Sequence, residues 1–371
     1  MAEKKYAYDR VFAYASLQFC GHIEDYFATH SRDALVFIVQ PRLGARTNLV
    51  RRYHEGVLQS ETAVRSSQNV FLYYLLWYVN HVTELLRFCP KRSKTLILGG
   101  HPVVFFGMSF FKLLRPLIYA YWIGDYFPSA HPVIRLFERV KKYYHDRVAY
   151  AFYLSNAINQ VMNGAVVETP NRRTVMWGMK AFPLAPLPPL TPFSLLFVGL
   201  MRPGQGIEKL FVFLRDHHEY RLSIIGVCPP ALFSSYQDLM RQYGLNERVF
   251  FPNQFFSEAE LLSVARSCHV GLALYDTDAS NFTHYADPGK VKAYMEMQLP
   301  VIMTRISDVV PFIERFGCGE VIGGVDQLGA AIERIRAKYA GYREGVGRFN
   351  DFFLCTRYYR EAFQAIEDSW T

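Results

Sequence analysis

Two stretches of this chain put glycine, proline and a cation where a strand runs into a helix. The first is FVGLMRPGQGIEKL, Phe197 to Leu210. An apolar run ends at Gly199, a loop holding Arg202, Gln205 and Gly206 follows, and helical spacing begins near Ile207. Glycines let the backbone approach a phosphate, and a helix amino end offers unbonded N–H groups with partial positive charge. Arg202 adds a forked donor suited to a diphosphate. The same pattern also describes an ordinary strand–helix turn, because glycines end many strands. The second stretch is HYADPGKVKAYMEMQLPVIMT, His284 to Thr304. Asp287 suits an N-cap and Pro288 the first helical position, which leaves Gly289 and Lys290 in the first turn. There Lys290 can join an anion held at the helix end; taken alone, it reads more simply as a solvated helix residue. Leu299–Thr304 is apolar and reads as a buried strand.

These residues need elements to hold them. After the proline-rich segment Pro183–Pro192, short apolar runs alternate with helical spacing. Strands are expected at Leu195–Gly199, Arg221–Gly226, Val249–Phe251, Val270–Tyr275, Pro300–Thr304 and Glu320–Ile322. Helices are expected at Ile207–Asp216, Ala231–Tyr243, Glu258–Ser267, Pro288–Met297, Val309–Phe316 and Val325–Tyr339. That alternation predicts an α/β fold with a doubly wound parallel sheet, whose ligands bind beyond the strand carboxyl ends. In the first half, strands are expected at Arg10–Leu17, Ala34–Gln40, Thr95–Gly99 and Leu117–Ile123. A loop through Gly21 leads into a helix ending near His30, Val70–Phe88 is an aromatic helix, and Val133–Val161 is a helical region of one or two helices. Five prolines in ten residues at 183–192 predict a stiff linker between an N-terminal domain, 1–182, and a C-terminal domain, 193–341. Residues 342–371 are expected to pack back on the N-terminal domain.

Charge is unevenly shared. Residues 1–190 hold 23 Lys+Arg against 12 Asp+Glu, whereas 191–371 hold 18 against 21. The positive half suits anionic membranes, nucleic acid or phosphorylated substrates. Basic residues around Val70–Phe88, with Lys112, Arg115, Arg139, Lys141 and Lys142, favour an anionic membrane surface. No recognition motif supports nucleic acid. The six cysteines lack metal or redox spacing, as in reduced cytosolic proteins. The polar start does not read as a signal peptide, and Lys112, Arg115 and Pro116 interrupt the most apolar stretch, so no transmembrane segment is expected.

The spacing of the two glycine-bearing motifs resembles the donor-binding domain of glycosyltransferase family 4, a retaining family of GT-B architecture. FVGLMRPGQGIEKL is similar to its opening strand–loop–helix, KVKAYMEMQLPVIMT to its nucleotide-binding helix and strand, and FIERFGCGEVIG (Phe312–Gly323) to the element after that. The first half matches weakly, at Gly21, GGHP (Gly99–Pro102), IGDYFP (Ile123–Pro128) and YLSNAI (Tyr153–Ile158). The resemblance implies two Rossmann-like domains facing a cleft, a nucleoside-diphosphate sugar held by the C-terminal one and the acceptor by the other. It implies diphosphate contacts at Gly199, Arg202, Gln205, Gly206, Asp287, Gly289 and Lys290, with Gly21 meeting it from the N-terminal domain. The family's two glutamates, eight residues apart, fall at Tyr285 and Ala293 here, and Glu296 lies one helical turn further on as a substitute or a solvated residue. Its phosphate-binding Arg and Lys fall at Leu200 and Gln205, and its glycine before Leu-Pro-Val-Ile is Gln298.

Retaining GT-B enzymes lack an agreed protein nucleophile; the donor phosphate can take the acceptor proton while cations stabilise the leaving diphosphate. Asp125 is expected to orient the acceptor or act as base and His101 to lie in the same cleft, or each is a structural hydrogen-bonded residue. Asp276-Thr277-Asp278 forms a D-x-D, the metal-holding pattern of GT-A enzymes, but reads better here as a loop beside the donor sugar. No metal and no cofactor beyond the donor substrate are expected. The functional expectation is a metal-independent hexosyltransferase using a UDP- or GDP-sugar on a lipid-linked or surface-polysaccharide acceptor. It would work in the cytoplasm, on the inner face of the membrane. A GT-B-fold sugar-nucleotide epimerase and a non-catalytic binding or scaffolding protein are the alternatives.

Overall fold

The computed structural model describes residues 6–16, 21–39, 48–180, 186, 189–201, 205–275 and 282–370. The chain divides into two compact units, Met1–Gly178 with Cys355–Thr371, and Met179–Leu354. Half of the proline-rich segment, residues 183–185, 187 and 188, lies outside the described residues.

Unit 1 begins with β1 (Tyr8–Ser16), α1 (Ile23–His30) and β2 (Ser31–Val39). The strands β3 (Asn48–His54) and β4 (Val57–Val64), the helix α2 (Val70–Phe88) and β5 (Thr95–Gly99) follow. Next come α3 (Met108–Leu114), β6 (Leu117–Ile123), α4 (Pro132–His145), β7 (Tyr150–Tyr153), α5 (Asn156–Asn163) and β8 (Arg172–Thr174). Among the described residues these make an eight-stranded sheet, ordered β4-β3-β2-β1-β5-β6-β7-β8. It is parallel from β2 through β8, and β3 and β4 add antiparallel pairs at one edge. Parallel strands are covered on both faces, hence the continuous apolar runs Leu35–Ile38 and Leu96–Leu98, all fully or nearly fully buried.

Two details depart from the sequence expectation. The hairpin β3–β4 turns at Glu55 and Gly56, both at positive φ (50° and 83°), the twist that suits a two-residue hairpin. Second, Val133–Val161 is not only helix. The strand β7 separates α4 from α5, and Ser155 starts α5 by accepting a hydrogen bond from the Ile158 N–H. The apolar YAFY run is fully buried in the sheet, which outweighs its helical continuity.

Unit 2 alternates strand and helix from β9 to α11 among the described residues: β9 (Phe193–Val198), α6 (Ile207–Asp216), β10 (Tyr220–Ile225), α7 (Pro230–Gln242), β11 (Val249–Phe250) and α8 (Glu258–Ala265) come first. Then come β12 (Val270–Ala273), α9 (Gly289–Glu296), β13 (Val301–Thr304), α10 (Val310–Phe316), β14 (Gly319–Ile322) and α11 (Leu328–Ala337). Among the described residues the six strands form a wholly parallel sheet, ordered β11-β10-β9-β12-β13-β14. Phe197, Leu210, Phe211, Leu272 and Ile302 anchor its core. The helix expected over Val325–Tyr339 ends at Ala337. Lys338 leaves helical geometry (φ −128°), and α12 (Tyr339–Phe352) starts beyond it.

The last helix, α13 (Cys355–Asp368), belongs to unit 1, whereas residues 342–354 fall in unit 2. Its ring Phe363 stacks on Phe27 at 5.9 Å and meets Phe152 edge-on at 4.9 Å. Tyr26 donates to Glu367 at 3.0 Å. α13 therefore completes the core of unit 1.

Candidate functional site

The first motif follows the carboxyl end of β9, which lies between β10 and β12 in the sheet. Gly199 follows β9 with φ 136°, and Gly226 follows β10 with φ 141°. A Cβ on Gly226 would lie 2.0 Å from the Gly199 carbonyl oxygen, so the two loops meet backbone against backbone. Gly206, at φ 78°, is the N-cap of α6. Gln205 precedes it, and its Oε1 is buried without a hydrogen-bond partner among the described residues. Arg202 and the D-x-D residues Asp276–Asp278 lie outside the described residues.

The second motif supplies the cation. The helix α9 starts at Gly289 with Pro288 as its N-cap, one residue later than the sequence suggested, so Asp287 precedes the cap. Lys290 turns its side chain toward the first motif, and a Cβ on Gly199 would sit 3.8 Å from Lys290 Nζ. The residue as a whole is partly exposed. Its Nζ has no accessible surface and no hydrogen-bond partner among the described residues. Instead it lies over two aromatic faces, Phe197 at 4.1 Å and Tyr275 at 4.9 Å. Burial pushes this ammonium down from 10.5 to about 7. An uncompensated buried ammonium is costly, and such groups concentrate where a charged ligand is bound.

Behind Lys290, Tyr294 fixes α9 to the sheet. Its hydroxyl accepts from the Val198 N–H at 2.8 Å and donates to the Leu272 carbonyl at 2.9 Å. Its ring fills the space a Cβ on Gly271 would occupy, at 2.2 Å. Thr304 ties β13 to the end of β12 through both backbone groups of Tyr275, each at 2.9 Å. These residues hold the strand ends and the α9 amino end in one frame. Sequence reasoning did not single out Tyr294; its place four residues after Lys290, on the same helical face, was the available signal.

The remaining polar residues of α9 point elsewhere. Asp287 is buried 3.9 Å from Lys292 Nζ, and Lys292 lies 3.2 Å over the Phe353 ring. Burial pushes the Lys292 ammonium down, while Asp287 and Glu296 oppose the shift. Glu296 is buried and accepts from the Lys180 N–H at 2.8 Å. The geometry thus places Asp287 and Glu296 in a buried internal network, and Lys290 with Gly199, Gln205 and Gly206 at the sheet mouth. Tyr285 ends a 3-10 turn, Phe282–Tyr285, and Ala293 lies in α9, so neither matched position brings a carboxylate. Gln298 keeps the positive φ (63°) that a glycine would supply, and its Oε1 accepts from Arg343 at 2.9 Å.

In unit 1, Gly21 is held by structure. At φ 88° it accepts a hydrogen bond from the Tyr359 hydroxyl, and a Cβ there would fall 2.1 Å from the Trp177 ring. His101 caps a short turn by accepting from the Val103 N–H at 3.2 Å. Its ring packs among Tyr74, Trp77 and Phe137, at 5.3, 4.8 and 5.3 Å. Asp125 is exposed, and its backbone carbonyl accepts from Lys141 at 2.7 Å. Phe137 neighbours both His101 and Lys141. Cys89, Cys228, Cys268, Cys318 and Cys355 are free and buried. Among the described residues no group of His, Cys, Asp and Glu side chains is arranged to hold a metal ion. A depression of about 1070 Å³ in unit 2 lies at the opposite, amino ends of the strands, walled by Ser194, Arg221 and His269.

Residues 233–366, about a third of the chain, match the family model "Glucosyltransferase 3-like, C-terminal domain". No curated protein sequence matches the chain. Sucrose-phosphate synthase from Thermosynechococcus elongatus is similar over 98% of this chain and 99% of its own, with TM-score 0.69 at 13% identity. The structure described as trehalose-6-phosphate from E. coli bound with UDP-2-fluoro glucose covers 96% and 98%, with TM-score 0.62 at 12% identity. Anabaena HepE in complex with UDP covers 97% and 99%, with TM-score 0.62 at 12% identity. The chain has the GT-B fold, two Rossmann-like parallel-sheet domains, and its structural neighbours are GT-B glycosyltransferases.

Proposed function

We propose that the chain is a glycosyltransferase that binds a nucleoside-diphosphate sugar at the mouth of the unit 2 sheet. The observation that carries this reading is Lys290: a buried ammonium without an anionic partner, beside Gly199 and at the first turn of α9. A diphosphate supplies the missing charge, and the helix amino end adds donors in the same place. Solved neighbours that hold UDP or a UDP-sugar support a uridine donor over a guanosine one. Catalysis on this reading rests on stabilising the charge that grows on the leaving diphosphate. The sugar is transferred with retention, and the acceptor hydroxyl loses its proton to the departing phosphate oxygen, with no metal or cofactor required. The acceptor, a lipid-linked or surface-polysaccharide glycan in the cytoplasm, is assigned to unit 1. There Asp125 orients the hydroxyl and His101 lies nearby. Arg202, Gln205, Gly206 and Gly289 are assigned to the diphosphate.

The test is calorimetric titration with UDP, GDP and ADP, followed by assay of UDP-sugar turnover. Saturable binding of UDP, with release of UDP from a UDP-sugar, is the expected result. Binding of none of the three nucleotides at millimolar concentration would refute the site. Binding without turnover in the presence of glycan acceptors would favour the scaffold reading, for which the absent carboxylates at Tyr285 and Ala293 speak.

A further inference from the structure

Unit 1 exposes apolar side chains on three neighbouring helices. On α4, Val133, Leu136, Val140 and Tyr143 are exposed at intervals that place them on one face. Arg135, Arg139 and Lys142 are interleaved with them and also exposed. The other side of α4 is already engaged, with Lys141 buried against Glu138 at 2.8 Å and Phe137 packed on His101. On α2 the inward face is Tyr73, Trp77, His81 and Leu85, yet Phe71 (79% exposed), Leu75, Val79 and Leu86 face outward. A helix apolar on every side is normally buried on every side. On α3, Leu113 is 86% exposed beside Phe110.

The three helices are neighbours in unit 1. Phe106, just before α3, meets Tyr78 of α2 edge-on at 5.1 Å, and His101 touches Trp77 of α2 and Phe137 of α4. Residues 65–147, which span the three helices, hold 12 Lys+Arg against 4 Asp+Glu, an excess equal to the +8 of the whole chain. Of those acids, Glu84 and Glu138 are turned inward, onto Arg52 and Lys141. No helix among the described residues is long and apolar enough to cross a membrane.

We propose that this face of unit 1 docks on an anionic lipid bilayer, with α4 lying in the plane of the interface. Apolar side chains between cations suit the headgroup–acyl boundary, where each finds its own environment. A second copy of the chain does not, because pairing this face with itself sets cations against cations. The inference goes beyond the donor site and stands without it; together they place the acceptor at a lipid surface.

The experiment is sedimentation with vesicles of phosphatidylcholine, with and without a third of phosphatidylglycerol, at low and high salt. The parent protein is expected to bind the anionic vesicles and to be released by salt. Arg135→Gln/Arg139→Gln should weaken that binding roughly 30-fold, two cations each giving about fivefold. Leu136→Ser/Val140→Ser, which removes apolar contact from an exposed face, should weaken it at both salts. Unchanged melting temperature and UDP affinity in these variants show that fold and donor site are intact. No binding to anionic vesicles by the parent, or parental binding by both variants, overturns the proposal. So does a dimer that the α4 substitutions dissociate, which would make the face a protein interface. Because vesicle binding and UDP titration are read separately, failure of one leaves the other standing.

Discussion

Replacing Lys290 by methionine keeps most of the side chain's volume and removes its charge, and the consequences for stability and binding have opposite signs. An unfolded lysine titrates near 10.5, whereas burial brings Lys290 down to about 7. Between these values the unfolded state binds the extra proton, so this group makes stability rise with pH from about 7 to 10.5. Below pH 7 the folded state bears the whole desolvation, on the order of 4 kcal/mol; at pH 9 about half remains. The rings of Phe197 and Tyr275 offset about 1–2 kcal/mol of it for the charged form. Lys290→Met should therefore stabilise the ligand-free protein by about 2–3 kcal/mol at pH 7, and by less at pH 9. For a unit of this size that raises the melting temperature by roughly 5–10 °C. UDP at a hundredfold excess over its Kd should stabilise the parent by about 2.7 kcal/mol, and should fail to move the variant. Differential scanning calorimetry of both proteins at pH 7 and 9, with and without UDP, reads all four quantities. A variant less stable than the parent at pH 7, or one that UDP still stabilises to the same extent, would show that Lys290 is a packing residue and not the anion's partner.

Tyr294→Phe should destabilise unit 2 by about 2–3 kcal/mol, since the Val198 N–H and Leu272 carbonyl both lose a buried partner; it should also raise the Kd for UDP, and urea unfolding with calorimetry reads both. Gln298→Gly relieves about 1 kcal/mol of left-handed strain but removes the buried acceptor of Arg343, worth about 1.5–3 kcal/mol, so net destabilisation of about 1 kcal/mol is expected by urea midpoint. Gly21→Ala should cost more than about 3 kcal/mol through the Trp177 ring and the positive φ, visible as loss of the unit 1 melting transition. Retention of UDP affinity in the Gly21→Ala protein would assign that glycine to folding alone.

The repeating alternation of unit 2 is legible because each element carries its own signal. Ile207–Asp216 shows helical spacing, and Leu299–Thr304 is a short apolar run after a helix; both stand where expected. The hairpin β3–β4 was not foreseen. Its strands mix polar and apolar residues, and β4 is mostly exposed, so alternation is weak and the Glu55–Gly56 turn is its main marker. The strand β7 has no signal of its own in the sequence, because four apolar residues between helices carry no period. At the site, the residue types near Gly199 and Lys290 could be named from sequence, but the burial of Lys290 Nζ between two rings could not. It depends on Phe197 and Tyr275, brought together only by β9 and β12 pairing. Glu296 shows the converse: the family resemblance made it a substitute for the glutamate missing at Ala293, one helical turn away, while its carboxylate is turned to the Lys180 backbone.

Because α13 supplies Tyr359 and Phe363 to the core of unit 1, that unit is assembled from both ends of the chain. On the ribosome, the first 178 residues emerge long before the segment that closes them. At about 5–20 residues per second, roughly 10–40 s pass before residues 355–371 are made. Through that interval Phe27, Phe152 and Trp122 lack a lid, whereas unit 2 emerges as one uninterrupted stretch. Apolar side chains left uncovered in this way are what chaperones recognise, so docking of α13 is the step that closes the core of unit 1.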